Sequence, residues 1–176
     1  VECLVVNEAD EVLPVGETGN LWVRGPNVFQ GYWQNAEKTA ESFSPDGYFK
    51  TGDLAVIDED GYISIVGRSK DLIITGGLNV YPKEIELVLD AIDGVLESAV
   101  IGLPHPDFGE SVCAVIVPLP EVDLATEFIF DQIKTRLANF KTPKKIFFLQ
   151  SLPRNTMGKV QKNQLRAQFS DAAHNL

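Results

Sequence analysis

The rhythm of apolar and polar positions along the 176-residue chain changes near residue 67. Before it, short apolar stretches at 3–6, 20–24, 54–58 and 62–66 alternate with turn-rich segments and predict strands. Asp58-Glu-Asp-Gly61 predicts a hairpin turn between the last two. One short helix is expected at 36–43. Three or four short strands in 66 residues have no evident way to bury both faces. This part is therefore expected to belong to a larger sheet or barrel that continues upstream.

After residue 67 the elements lengthen. A short strand at 72–75 is broken by Gly76-Gly77. Pro82 suits the first position of a helix, with Glu84 and Glu86 in a first turn where acids favour the dipole. Ile85, Val88, Leu89 and Ile92 follow at helical spacing, and Gly94 is placed to cap the end. Segments 98–103 and 112–117 are apolar, β-branched strands, and 125–139 reads as a second helix with Phe130, Ile133, Leu137 and Phe140 on one stripe. A strand at 146–149 and a helix at 162–169 close the pattern. The order β-α-β-β-α-β-α predicts a compact α+β domain of about 105 residues joined to the first part at 67–71. Trp22, Trp33 and the Phe residues read most simply as core.

Composition adds limits rather than a function. With 44% hydrophobic and 23% charged residues the chain is an ordinary globular one, which excludes fibrous and disordered classes. Cys3 and Cys113 show no metal or redox spacing and read as two thiols in a reducing, cytoplasmic compartment rather than a disulfide. No apolar run reaches the length of a membrane span. The first residue is Val1 rather than Met, and no basic leader is visible, so the chain reads as a fragment of something longer.

Charge changes the picture. The net −10 argues against a general nucleic-acid binder, yet it is unevenly spread. Residues 1–66 and 67–131 each carry three basic and twelve acidic side chains, whereas 132–176 carry nine basic and one acidic. An acidic chain with a basic end is expected to handle something small and anionic there. Lys141, Lys144, Lys145, Arg154, Lys162 and Arg166 are the available cations, of which one or two are expected to touch a ligand.

Generic catalytic patterns are absent: no phosphate-loop signature, no dinucleotide fingerprint, no His-Glu-x-x-His. With only His105 and His174, a histidine triad or zinc site is not expected, and His105, between two prolines, reads as a turn residue. Four ordered segments remain. They are Gly16-Glu-Thr-Gly-Asn-Leu-Trp-Val-Arg-Gly25, running on to Gly31-Tyr-Trp33; Gly47-Tyr-Phe-Lys-Thr-Gly-Asp53; Gly67-Arg-Ser-Lys-Asp-Leu-Ile-Ile-Thr-Gly-Gly-Leu-Asn-Val-Tyr-Pro-Lys-Glu-Ile-Glu86; and Leu152-Pro-Arg-Asn-Thr-Met-Gly-Lys-Val-Gln-Lys162.

In this order and spacing the four segments resemble the adenylate-forming superfamily of acyl-CoA synthetases, luciferases and peptide-synthetase adenylation domains. The wording Lys70-Asp-Leu-Ile-Ile-Thr-Gly-Gly-Leu-Asn-Val-Tyr-Pro is that of acyl-CoA ligases, and the last segment together with residues 95–110 looks closest to malonyl-CoA synthetases. The resemblance implies that 1–68 are the tail of a large N-terminal domain, short strands of a distorted barrel. It implies that 69–176 are the mobile C-terminal domain, a small antiparallel sheet flanked by helices, hinged at 67–71.

The implied chemistry is a two-step ligation of a carboxylic acid to CoA at the expense of ATP. Alone, Thr-Gly-Asp53 reads as a turn-capping carboxylate projected from a strand end; the resemblance gives Asp53 the vicinal ribose hydroxyls of the nucleotide. Arg68 and Lys70 read alone as linker charges; the resemblance makes Arg68 a nucleotide contact and Lys70 the hinge. Lys159 reads alone as surface decoration on a mobile loop; the resemblance makes it catalytic, a point cation between carboxylate and α-phosphate. Gly76 and Gly77 make a plain turn, or border the pantetheine passage of CoA. Mg2+ ligands, the phosphate-binding loop and the acyl pocket are expected in the missing N-terminal domain, so the chain alone is expected to be inactive. Two other readings stay open: a non-catalytic C-terminal lobe that docks on a partner, and an adenylation domain that loads a carrier-protein thiol.

Overall fold

A computed structural model describes residues 1–171 and resolves them into two compact units that divide between Lys70 and Asp71. His174 lies outside the described residues. The fold class is α+β, as the pattern predicts.

The first unit is a four-stranded antiparallel sheet in chain order: β1 (Glu2–Val6), β2 (Thr18–Arg24), β3 (Phe49–Ile57) and β4 (Ile63–Arg68). Helix α1 (Ala36–Ser42) starts at Asn35, whose side chain accepts from the Lys38 N–H. Strand alternation splits the apolar residues between two faces, Val5, Leu21 and Ala55 on one and Val6 and Trp22 on the other. The Asp58–Gly61 turn forms as predicted, its Asp58 carboxylate accepting the Asp60 and Tyr62 amides. Trp33 departs from its expected place in the core: it sits in the loop before α1 and is 89% exposed. Nothing in the described unit covers that loop. Tyr62 (73%) and Ile65 (61%) are likewise open, so β4 carries an apolar edge with no layer over it among the described residues.

The second unit contains β5 (Ile73–Thr75), β6 (Leu78–Val80), α2 (Pro82–Asp90), β7 (Val95–His105), β8 (Gly109–Pro118), α3 (Thr126–Ile133), β9 (Lys145–Phe148) and α4 (Lys162–Phe169). The sheet runs β6-β5-β8-β7, all antiparallel, and β9 joins β8 in parallel. The parallel pair and strand β6 are additions to the predicted order. Central strands β7 and β8 are buried on both faces. Val100, Val112, Ala114 and Ile116 face α2 and α3 residues such as Leu89 and Ile129, while Ile101, Leu103, Cys113 and Val115 face Leu165 of α4. Two-sided burial explains why these strands are continuous apolar runs rather than alternating ones.

Two helix ends differ from expectation. Helix α3 stops at Ile133, and Leu137 reaches the core from the turns that follow. Helix α2 ends at Asp90 with Ala91 as cap, and Gly94 instead makes a left-handed turn into β7, its carbonyl accepting from Leu119. Glu86, expected to serve the helix dipole, is buried and accepts from the Val100 N–H at 2.9 Å and from Lys162 Nζ at 2.6 Å. It thereby ties α2, β7 and α4 together.

Cys3 and Cys113 are both free thiols. Burial pushes the Cys113 thiol up to about 11, against a smaller opposing pull from Lys145. Alkylation of the native chain near neutral pH is therefore expected to label the half-buried Cys3 first, with Cys113 reacting only on unfolding. Equal labelling of both, read by mass spectrometry, contradicts this.

Candidate functional site

The Thr51-Gly-Asp53 motif lies inside β3, not at a strand end. Gly52 takes φ +73°, and the β3–β4 register shifts between Leu54 and Ala55, a local bulge next to Asp53. Thr51 Oγ1 donates to the Leu21 carbonyl and accepts the Asp53 N–H at 3.0 Å. Asp53 faces Arg68 across the ladder, with Arg68 Nε 2.9 Å from its carboxylate and Arg68 Nη1 on the Thr51 carbonyl. The structure thus brings Asp53 and Arg68 together. The pair is open enough for the carboxylate to accept from a further donor.

Lys70 sits in a single 3₁₀ turn, Ser69–Asp71, where the two units meet in sequence. Its neighbours are fastened separately. Ser69 Oγ bonds the Asn20 side chain of the first unit at 3.1 Å, and Asp71 accepts from Arg166 of α4 in the second at 2.8 Å. Lys70 itself is exposed.

Lys159 stands on a closed turn rather than a slack loop. The Asn155 carboxamide oxygen accepts the Met157 and Lys159 amides, Asn155 N–H bonds the Lys159 carbonyl, and Gly158 supplies φ +77°. Arg154 binds the Gly158 carbonyl at 2.7 Å and pairs with Glu97 of β7. The Lys159 side chain is exposed and makes no ion pair among the described residues.

The basic run sorts itself by partner. Lys134, Lys141, Arg154, Lys162 and Arg166 are held by Asp131, Glu84, Glu97, Glu86 and Asp71 respectively. Lys144 instead points to the Asn139 carbonyl at 3.4 Å, and Lys144 and Lys145 both line a cavity of about 380 Å³ with Thr75, His105, Phe108 and Phe140. A second hollow of about 290 Å³ shares Thr75, Phe108, Phe140 and Lys144 and adds Gly76. Gly76 (φ +57°) and Gly77 (φ +78°) form the β5–β6 turn, and the Gly76 N–H bonds the Phe108 carbonyl.

Comparison with known proteins fits this geometry. Residues 84–159 match the AMP-binding enzyme C-terminal domain, the stretch from α2 to Lys159. Those residues are an AMP-binding enzyme C-terminal domain. It is 48% identical over 152 residues to the 3-[(3aS,4S,7aS)-7a-methyl-1,5-dioxo-octahydro-1H-inden-4-yl]propanoyl:CoA ligase of Rhodococcus jostii, covering 86% of this chain and 30% of that protein. It is 44% identical over 159 residues to feruloyl-CoA synthase of Amycolatopsis, covering 90% and 32%. ATP-bound MatB from Rhodopseudomonas palustris is 53% identical and superposes with TM-score 0.91 over 98% of this chain and 34% of MatB. Apo MatB superposes with TM-score 0.71 over the same share. The chain spans about a third of the length of the curated relatives it matches.

Within the second unit, Lys159 lines neither of the two hollows near the Gly76–Gly77 turn. Phe108, Phe140, Asn155 and Glu110 are the site residues that sequence reasoning passed over. Phe140 was visible only as a helix-stripe residue. Asn155, two residues after Pro153 in a turn ending at Gly158, carried a readable Asx-turn signal.

Proposed function

We propose that this chain is the C-terminal part of an AMP-forming acid–CoA ligase, completed by an N-terminal domain. In the first step a carboxylate oxygen attacks the α-phosphorus of ATP, the bond to the bridging oxygen breaks, and pyrophosphate leaves. Asp53 accepts from the ribose hydroxyls, with Arg68 orienting it and adding positive charge near the nucleotide. Lys159 stands beside the attacking oxygen and the α-phosphoryl oxygens, where two anions must meet. In the second step the CoA sulfur attacks the acyl carbon, AMP leaves, and the thiol proton passes to solvent. Rotation at Lys70 exchanges the Lys159 turn for the Gly76–Gly77 face between the steps. The separately fastened neighbours of Lys70 support that exchange. Lys144 and the Phe108 and Phe140 rings beside Gly76 are suited to a phosphate and an adenine ring. Among the described residues no group of three His, Cys, Asp or Glu could hold a cation, and we place the Mg2+ ligands in the N-terminal domain.

The observation that carries this reading is Lys159 on its braced turn: among the described residues it makes no ion pair, whereas Lys134, Lys141, Arg154, Lys162 and Arg166 are each held by a carboxylate. The motif resemblance to malonyl-CoA synthetases makes malonate the acid to try first. The full-length protein is expected to exchange labelled pyrophosphate into ATP when acid is present, and to release AMP and a CoA thioester when CoA is added. The 176-residue chain alone is expected to do neither. ADP as the product, or no acid-dependent exchange with any carboxylic acid, overturns the assignment.

A further inference from the structure

The Gly76–Gly77 turn hangs from an unusual support. Strand β5 pairs with β8 at one position alone, Thr75 opposite Gly109. Just beyond it, the Ile74 N–H is taken by a side chain: Glu110 Oε2 accepts it at 2.8 Å. The carboxylate thus stands in for a strand carbonyl and extends the β5–β8 ladder by one bond, a charge-assisted one. On the other side of the turn, the Gly76 N–H bonds the Phe108 carbonyl at 2.9 Å. The hairpin tip that carries Phe108 is itself braced by His105 Nδ1, which accepts the Asp107 amide at 3.1 Å.

Glu110 reaches Ile74 because a neighbour is missing. Gly102 lies on β7, and its φ is not of the left-handed kind, so backbone freedom does not explain the glycine. Space does. A Cβ at 102 would lie 2.5 Å from Glu110 Oε1 and 2.8 Å from its Cδ, closer than side-chain carbons tolerate. The carboxyl group fills the volume that Gly102 leaves vacant.

We propose that Glu110, seated over Gly102, is a positioning residue that fixes the Gly76–Gly77 turn for the thioester-forming step. This rests on the proposed function for the role of the turn, but not for the contact. Glu110 touches no substrate; it acts through the Ile74 amide.

The test is a double-mutant cycle in the full-length protein. Glu110→Ala is expected to lower CoA-dependent thioester formation about tenfold, the usual scale for a hydrogen bond to a charged group, and to leave acid-dependent pyrophosphate exchange within about twofold. Glu110→Gln keeps an acceptor and is expected to recover much of the loss. Gly102→Ala should reproduce the Glu110→Ala defect in the parent protein, yet add nothing in the Glu110→Ala background, where the new methyl has room. Equal losses in both half-reactions, or an undiminished Gly102→Ala effect in the double variant, overturn the proposal. Hydrogen exchange at the Ile74 and Gly76 amides of the 176-residue chain gives a readout that needs no catalysis. Faster exchange at both in Glu110→Ala is expected; unchanged exchange sinks the proposal even if the ligase reading stands. Conversely, faster exchange in a protein with no pyrophosphate exchange places the failure in the ligase reading.

Discussion

Replacing Lys159 with alanine in the full-length protein is expected to lower acid-dependent pyrophosphate exchange by about 10²–10³-fold, the loss typical of removing one preorganised charge from a transition state. Conversion of a supplied acyl-adenylate to thioester should stay within about twofold. The separation follows from where Lys159 stands. Its turn is closed by Asn155, which takes two of its amides, and is pinned to β7 through Arg154 and Glu97. Lysine contributes only its ammonium at the tip, so truncation removes the charge and leaves the turn intact. Arginine at 159 should recover little, because a planar fork replaces a compact cation. Adenylation and thioester formation falling together would mean that Lys159 serves the domain's structure instead.

Much of the fold was legible because local pattern and global burial agreed. Pro82 followed by apolar residues at helical spacing is α2, and 162–169 is α4 residue for residue. The failures share a cause, which is that periodicity reports burial and not backbone conformation. Leu137 is buried at the spacing a helix would give it, but from turns after α3 has ended. Trp33 is apolar and exposed, a case that composition alone assigns to a core. Strand β6 is three residues long and polar at its centre, too short to show alternation.

The site divides along a different line. Motif residues can be picked out by position, but that Asp53 and Arg68 meet across the ladder is visible only in the fold. Which of the neighbouring cations are held by carboxylates was not legible where the partners are remote in sequence. Glu97 reaches Arg154, Glu86 reaches Lys162 and Asp71 reaches Arg166 across 57, 76 and 95 residues. The same holds for Glu110, whose task depends on an amide 36 residues earlier and on a methyl that Gly102 lacks. Five of the nine cations behind the net charge of +8 in the last 45 residues are therefore held by carboxylates of this chain.

Lys70→Pro is expected to leave pyrophosphate exchange largely intact and to stop CoA-dependent turnover. In the 3₁₀ turn Ser69–Asp71 the backbone φ is near the value proline fixes, so this arrangement is one the ring accepts. What proline opposes is a departure in φ. The neighbours leave few other torsions to absorb a rotation: Ser69 is held to Asn20 and Asp71 to Arg166, so a change of arrangement concentrates at the residue between them. Proline also disfavours a helical Ser69, which could loosen the turn. Lys70→Ala is the control, since it removes the charge and keeps the rotation. If Lys70 is a hinge, Lys70→Ala should retain both half-reactions within about threefold while Lys70→Pro loses only the second. Loss of thioester formation in both variants would assign Lys70 to ligand binding, and unchanged turnover in Lys70→Pro would move the pivot to another residue.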